Sequence, residues 1–207
     1  MPITVLRAKG LSFAYPQRRL FHGLTFELPA GLSLIRGGDG SGKTTLLRLL
    51  AGDLSSDAGA LWLGDVSLSE QPFDYRSKVF RVDHQASGLD QTSPEAYLAA
   101  LPERYPDFDE AGLPALIDGL GLQPHWQKPM YKLSTGSKRK VWLAAAFCAG
   151  ATVTLLDDPF AALDRPSIAF TLTLLQKAAT DPTRAWVLAD YQAPTGLPLA
   201  TIIDLPD

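Results

Sequence analysis

The sequence has little of several features that would assign it to a class. Its 207 residues include a single cysteine, Cys148, so no disulfide can form within the chain, and we expect a reducing, cytoplasmic environment. Lysine and arginine number 19 against 22 acidic residues, which gives a formal net charge of -3. Proteins that bind nucleic acid through many phosphates usually carry a basic surplus. We therefore expect no nucleic-acid partner.

The sequence also lacks a long apolar run. The longest apolar stretch, at 141–156, is too short to cross a bilayer and is divided by Gly150, which indicates a buried helix followed by a buried strand. The first ten residues lack the basic start and apolar run of a signal peptide. No period of about 20–50 residues repeats, so we expect one functional unit per chain.

The first part of the chain is rich in predicted strands. ITVLRA near 3–8, LTFEL and LSLIR have strand composition, and LSLIR leads directly into a glycine-rich loop. The apolar spacing of TTLLRLLAG then predicts a helix that Gly52 closes. Further strands are predicted in GALWLGDVSL and KVFRVDHQ.

The composition changes after residue 86, because six of the sixteen prolines fall between Pro94 and Pro129. Helical spacing in PEAYLAAL and EAGLPALIDGLGL predicts a small helical lobe, and KLSTGSKRKVWLAAAFCAG begins with a polar cap and continues as a helix. TVTLLD, AWVLAD and ATIIDL read as strands, with RPSIAFTLTLLQKAA as a helix between the first two. This alternation predicts an α/β fold with a largely parallel, buried sheet.

Residues 37–45 read GGDGSGKTT and match the pattern G-x-x-x-x-G-K-[ST]. In such a loop, backbone N–H groups converge on phosphate oxygens, the lysine reaches the β and γ phosphates, and the hydroxyl holds Mg²⁺. The alternative is a glycine-rich turn that caps a helix, but the strand before and the helix after favour the phosphate loop. We predict that a nucleotide binds through Gly37, Gly38, Asp39, Gly40, Ser41, Gly42, Lys43, Thr44 and Thr45.

The segment VTLLDD at 153–158 supplies a second half of such a site. A buried apolar strand that ends in Asp157 can present its carboxylate to Mg²⁺. A solvated acid at a strand end would be the simpler interpretation of this segment in isolation. Together with the phosphate loop, the segment predicts that Asp157 and Thr44 hold the metal.

At this point the chain resembles the ATPase subunit of an ABC transporter, along nearly its whole length. The resemblance implies a P-loop NTPase core with a mostly parallel sheet, an antiparallel β subdomain and an inserted small helical subdomain. The core with its β subdomain would comprise 1–85 and 149–207, and the helical subdomain 86–148 would carry the signature motif. In length the chain is similar to the short, bare cassettes of cytochrome c biogenesis exporters.

The resemblance also implies roles for residues outside the loop. Tyr15, in FAYPQRRLF, matches the aromatic residue that stacks on adenine. Gln85 matches the glutamine that senses Mg²⁺ and couples to the membrane subunit, so the resemblance adds Gln85 to Thr44 and Asp157 as a residue at the metal. LSTGSKRK at 133–140 occupies the place of the LSGGQ signature, where Ser134 and Gly136 are retained as donors to the γ-phosphate of a partner cassette.

Three further positions complete the comparison with the family. Asp164, in AALD, matches the residue that crosses the dimer interface. Asp158 stands where the family has a catalytic glutamate and is shorter by one methylene, a bond length of about 1.5 Å. Asp190, or its neighbour Tyr191, stands where the family has a switch histidine. We take Asp158, Asp190 and Gln85 as the candidate catalytic residues and expect hydrolysis to be weak, because a displacement of about 1 Å can already lower a rate about a hundredfold.

The resemblance predicts a cytoplasmic ATP-binding subunit, peripheral at the inner face of the cell membrane, with ATP and Mg²⁺ as ligands. Its partners would be a second cassette, in a homodimer or a heterodimer, and integral membrane transporter subunits, for which the chain has no spare length. Two alternatives stay open: a nucleotide-gated interaction protein without turnover, and the degenerate half of a heterodimeric ABC ATPase. A soluble ABC protein that acts on nucleic acid or ribosomes would usually contain tandem cassettes, a long coiled coil or basic arms. The sequence shows none of these features, which disfavours that class.

Overall fold

The computed structural model describes residues 3–82 and 87–206. The chain divides into two compact units. The first, called here the sheet unit, comprises Met1–Arg81, Thr152–Asp158 and Gln176–Asp207, and the second, the helical unit, comprises Val82–Ala151 and Pro159–Leu175. The division at 86–148 that the resemblance implies stays a prediction.

The described part of the chain alternates strands and helices as the sequence predicts. The strands are β1 (Thr4–Tyr15), β2 (Arg18–Pro29), β3 (Gly31–Arg36), β4 (Ala58–Leu63), β5 (Val66–Ser67), β6 (Val79–Arg81), β7 (Val153–Asp157), β8 (Ala185–Asp190) and β9 (Leu199–Asp204). The helices are α1 (Lys43–Leu50), α2 (Pro72–Ser77), α3 (Pro94–Ala99), α4 (Leu113–Gly119), α5 (Thr135–Cys148) and α6 (Arg165–Ala178).

Four strands form an antiparallel sheet in the order β2-β1-β4-β5. Strand β1 is longer than the predicted segment near 3–8, because the chain continues past Gly10 with a change of register between Ala8 and Leu11. The glycine, at φ 66°, allows this irregularity without ending the strand. The β1–β2 hairpin therefore extends to Tyr15, which pairs with Arg18 across a two-residue turn.

The other five strands form a sheet in the order β6-β7-β8-β3-β9 in which every neighbouring pair is parallel. Their carboxyl ends meet at one edge, where Arg36 pairs with Asp190 and Asp157 pairs with Ala189. The loop after β3 and the acidic end of β7 thus lie at the same edge, on either side of β8. This is the edge at which open parallel sheets bind ligands.

One hydrophobic core joins the two sheets and α1 within the sheet unit. Leu6 and Leu28 from the antiparallel sheet, Ile35 and Val187 from the parallel sheet, and Leu46 from α1 are all fully buried in it. The packing fixes α1 and the loop that precedes it against the strands whose ends form the edge.

The helical unit has its own buried residues. Helix α5 buries most of its second half, from Val141 to Cys148, and Tyr97 of α3 packs edge-on against Trp142 at 5.1 Å between ring centroids. With β7 buried as well, the interpretation of 141–156 as a buried helix followed by a buried strand is confirmed. Across residues 3–82 and 87–206, no helix combines the length and apolarity needed to cross a membrane.

Candidate nucleotide-binding site

The glycine-rich loop connects β3 to α1, with Gly42 as the residue that precedes the helix. The ammonium group of Lys43 donates hydrogen bonds to two carbonyl oxygens of the loop, that of Gly37 at 2.8 Å and that of Gly38 at 2.9 Å. Both acceptors are neutral carbonyl oxygens, so they hold the Lys43 ammonium group over the loop without neutralising its positive charge. A helix start with this charge favours an anion.

Thr44 and Asp157, two of the three residues predicted to contact the metal, meet in the structure, whereas the third, Gln85, lies outside the described residues. The Thr44 hydroxyl donates to the Asp157 carboxylate at 2.6 Å, although the two residues are far apart in the chain. A hydroxyl and a carboxylate supply the oxygen donors that Mg²⁺ prefers, and this ion is usually held by one or two carboxylates together with phosphates and water. The pair therefore fits Mg²⁺.

An open cleft of about 360 Å³ lies beside the loop within the sheet unit. Its walls include eight of the predicted site residues: Tyr15, Asp39, Gly40, Gly42, Lys43, Thr44, Thr45 and Asp158. Two further residues of the lining, Arg18 and Leu20, were not predicted. Their signal in the sequence is the stretch YPQRRL, which turns at Pro16 and Gln17 and brings the start of β2 back beside Tyr15.

Tyr15 presents an aromatic ring at the rim of this cleft. Its side chain is 42% exposed, and its hydroxyl shares a hydrogen bond of 3.3 Å with the Thr45 hydroxyl. Edge-on packing against Phe13, at 5.0 Å between centroids, holds the ring in place. An exposed ring anchored at one end in this way can stack on a nucleotide base.

Asp158 follows β7 directly and lines the cleft. Its N–H donates to the carbonyl of Ala189 at 3.0 Å, which extends the contact between β7 and β8 by one residue. The backbone is left-handed there, with φ 44°, a conformation that aspartate adopts more readily than most residues with a side chain. The carboxylate is thus exposed in the cleft on a backbone that suits a short acidic residue.

Asp190, the other candidate at the end of a strand, is bonded to the backbone of the residue that follows it. It is buried at the end of β8, and its carboxylate accepts a hydrogen bond of 2.7 Å from the N–H of Tyr191. Neither Asp190 nor Tyr191, the two residues at the position of the family's switch histidine, is part of the described lining of the cleft. Tyr191 is 67% exposed. Gln85 lies outside the described residues. The catalytic roles of Asp190 and Gln85 stay predictions.

The remaining predicted residues belong to the helical unit. Ser134 caps α5, because its hydroxyl oxygen accepts from the N–H of Ser137 at 3.1 Å and also lies 3.0 Å from the Ser137 hydroxyl. Gly136 lies so close to the carbonyl oxygen of Ala162 that a Cβ atom could not be added without a shift of the backbone. The signature-like segment and the AALD segment are therefore packed directly against each other.

Asp164 is held within its own chain. One carboxylate oxygen accepts from the Lys140 ammonium at 2.6 Å, and the other accepts from the N–H of Ser167, at the first turn of α6, at 2.8 Å. The hydrogen bond from Lys140, followed by those from Ser167, holds the pKa of Asp164 well below its usual range. The residue thus caps α6 and pairs with α5.

Comparison with known proteins agrees with this arrangement. The family model described as ABC transporter matches residues 21–161. The chain belongs to the ABC transporter family. The cytochrome c biogenesis ATP-binding export protein CcmA of Pseudomonas putida is 38% identical over 165 residues, which cover 79% of this chain and 79% of the relative. The CcmA protein of Hahella chejuensis is 30% identical over 177 residues, covering 84% and 83%.

The fold of the cassette has close counterparts among solved structures. The ATP-binding subunit of an ABC transporter superposes with a TM-score of 0.80 at 23% identity, covering 91% of this chain and 80% of that one. This confirms the predicted α/β fold class, with its parallel sheet and antiparallel β subdomain. The family match and the curated relatives, in contrast, support an ATP-binding subunit of an ABC transporter.

Proposed function

We propose that this cassette is the ATP-binding subunit of an ABC-type exporter and that it couples binding and slow hydrolysis of ATP to a membrane partner. The observation that carries the proposal is the cleft in which Lys43 is bonded to the phosphate loop and Thr44 to Asp157. Such an arrangement provides backbone donors and one cation for the phosphates, and two oxygen ligands for Mg²⁺. Tyr15 supplies the surface for the base.

Export is the direction that the relatives favour. CcmA proteins that match about four fifths of this chain are named as export proteins of cytochrome c biogenesis. We extend that direction to this cassette and expect it to act at the cytoplasmic face of a membrane, bound to integral membrane subunits. A second cassette would complete each site, with Ser134 and Gly136 facing the γ-phosphate bound by the partner.

Slow hydrolysis is proposed on the chemistry of Asp158. A general base usually contributes about 10² to 10⁴ in rate, and it must lie within hydrogen-bond reach of the attacking water. The aspartate is shorter than glutamate by one methylene, and its left-handed backbone restricts how it can compensate. Asp190, which is turned onto Tyr191, offers no donor to a γ-phosphate.

The same observations favour a second candidate, a nucleotide-gated cassette that binds ATP without turnover or relies on a competent partner cassette. One experiment separates the two. Single-turnover hydrolysis of ATP is measured with the membrane subunits present, alongside ATP binding by calorimetry with Mg²⁺. Binding with slow product formation supports the exporter subunit, binding without product supports the second candidate, and no binding contradicts both.

A further inference from the structure

We propose that Arg18 is a nucleotide-binding residue of this cassette, which contacts the α and β phosphates as a second cation beside Lys43. The proposal rests on the proposed function, since it concerns the same cleft. It adds a residue that lies outside the phosphate loop and to which the sequence analysis assigned no role.

The hairpin between β1 and β2 brings Arg18 to the cleft. Tyr15 and Arg18 are cross-strand partners on either side of the turn, and both line the cleft. Directly opposite residues of an antiparallel pair project to the same face of the sheet. The hairpin thus presents a ring and a guanidinium group side by side, a pair suited to a base and the phosphates next to it.

The guanidinium group also reaches the phosphate loop itself. A Cβ atom placed on Gly40 would lie 3.4 Å from Nη1 of Arg18, so the end of the arginine side chain rests against a loop residue that has no side chain to displace it. Gly40 lies in the middle of the loop, between Gly37 and Lys43. A nucleotide whose base contacts Tyr15 and whose terminal phosphate reaches Lys43 would pass Arg18 with its α and β phosphates.

The charged side chains that line the cleft favour such a cation. Its lining carries two positive side chains, Arg18 and Lys43, and two carboxylates, Asp39 and Asp158. Without Arg18 the balance becomes one positive against two negative, which disfavours a polyanionic ligand.

The donors of Arg18 are also available to a ligand. Within the described part of the chain, its side chain has no hydrogen-bond or ion-pair partner. A guanidinium group matches phosphate oxygens with two parallel hydrogen bonds.

The test compares Arg18→Gln with the matched control Arg19→Gln. Arg19 is the next residue of β2, is also exposed, and is absent from the lining of the cleft; successive strand residues point to opposite faces. Affinity for ADP and for ATP is measured by calorimetry on the full chain, after thermal melts of the nucleotide-free variants have established that all are folded.

We expect Arg18→Gln to raise the Kd for ADP about tenfold and the Kd for ATP by the same factor. Arg19→Gln should leave both Kd values within about twofold of wild type. Arg18→Lys should recover part of the loss, since it restores the charge without the fork.

Three results would overturn the assignment: an unchanged Kd for ADP in Arg18→Gln, a loss restricted to ATP, or an equal loss in Arg19→Gln. All three leave nucleotide binding by the wild-type cassette intact and so leave the proposed function standing. If the folded wild-type protein binds neither ADP nor ATP, the proposed function itself fails and Arg18 has no nucleotide to contact.

Discussion

The phosphate-loop cleft and the signature-like segment use their polar residues in different ways. In the cleft, Lys43 donates to two neutral carbonyl oxygens and Asp158 is exposed. In the helical unit, the Ser134 hydroxyl caps α5 and the Asp164 carboxylate accepts from Lys140 and from the backbone of α6. The first region positions the positive charge of Lys43 for a ligand, whereas the second uses its polar groups to hold its own chain together.

This difference indicates which steps of the function are built into one chain. Binding in the cleft needs no rearrangement of the contacts described, because the loop, the cation and the metal ligands are already in place. A contact of Asp164 with a partner cassette would compete with its bonds to Lys140 and Ser167. We therefore expect nucleotide binding to be a property of the isolated chain, and closure with a second cassette to carry a cost.

The largest expected effect comes from Lys43→Ala. ATP with Mg²⁺ at about 100 times its Kd should stabilise the wild-type protein by about 2.7 kcal/mol, because ligand binding to the native state stabilises it by mass action. Removal of the ammonium group should abolish most of that shift in a thermal melt. Lys9→Ala, at an exposed position of β1, is the control. A full shift in Lys43→Ala would remove the phosphate loop from the site.

The next effect concerns Asp158 and distinguishes binding from chemistry within the cleft. If hydrolysis proceeds through this carboxylate, Asp158→Asn should lower single-turnover hydrolysis about 10²-fold. The affinity for ADP should be kept or rise, because a negative charge leaves the cleft. Asp65→Asn, at an exposed turn residue, is the control. A rate that does not change in Asp158→Asn would exclude the residue as the base.

Asp158→Glu tests the length of the side chain. We expect only a modest gain in turnover, because glutamate adds reach but tolerates the left-handed backbone less well than aspartate. A rise of a hundredfold or more would show that side-chain length alone limits the reaction.

Much of this site was predictable from the sequence, and the exceptions have a common cause. The loop residues are contiguous, and Asp157 ends a strand whose apolar pattern is unmistakable, so local patterns place them. Arg18 was missed because its position depends on the register of a hairpin. The pairing of Asp164 with Lys140 joins two helices, and the orientation of Asp190 depends on one bond to the backbone of Tyr191. Local periodicity contains none of these three kinds of information.

A moderate loss of stability is expected from Gly136→Ala in the helical unit. The added Cβ would collide with the carbonyl of Ala162, and overpacking of this kind costs about 1–3 kcal/mol. For a chain of this size, that cost corresponds to a fall in Tm of about 2–12 °C. Gly88→Ala, at a position with open space around the added methyl group, should leave Tm unchanged. ADP affinity should be unaffected in both. An unaltered Tm in Gly136→Ala would mean that the two segments separate easily.

The smallest expected effect is a pH-dependent one at Asp164, and it tests whether this residue is committed to its own chain. Its pKa is depressed in the folded state, first by Lys140, so the stability that it contributes is fully present above the ordinary pKa of aspartate, about 4. That stability is lost as the pH falls through the folded-state pKa.

Lys140→Met should therefore lower Tm by a small, constant amount between about pH 5 and 7, and the difference in Tm from wild type should shrink below about pH 4. Lys128→Met, at an exposed position, should show no such trend. A deficit that persists unchanged at pH 3 would assign the effect to packing of the lysine stem, and it would leave the Asp164 carboxylate free to meet a partner cassette at little cost.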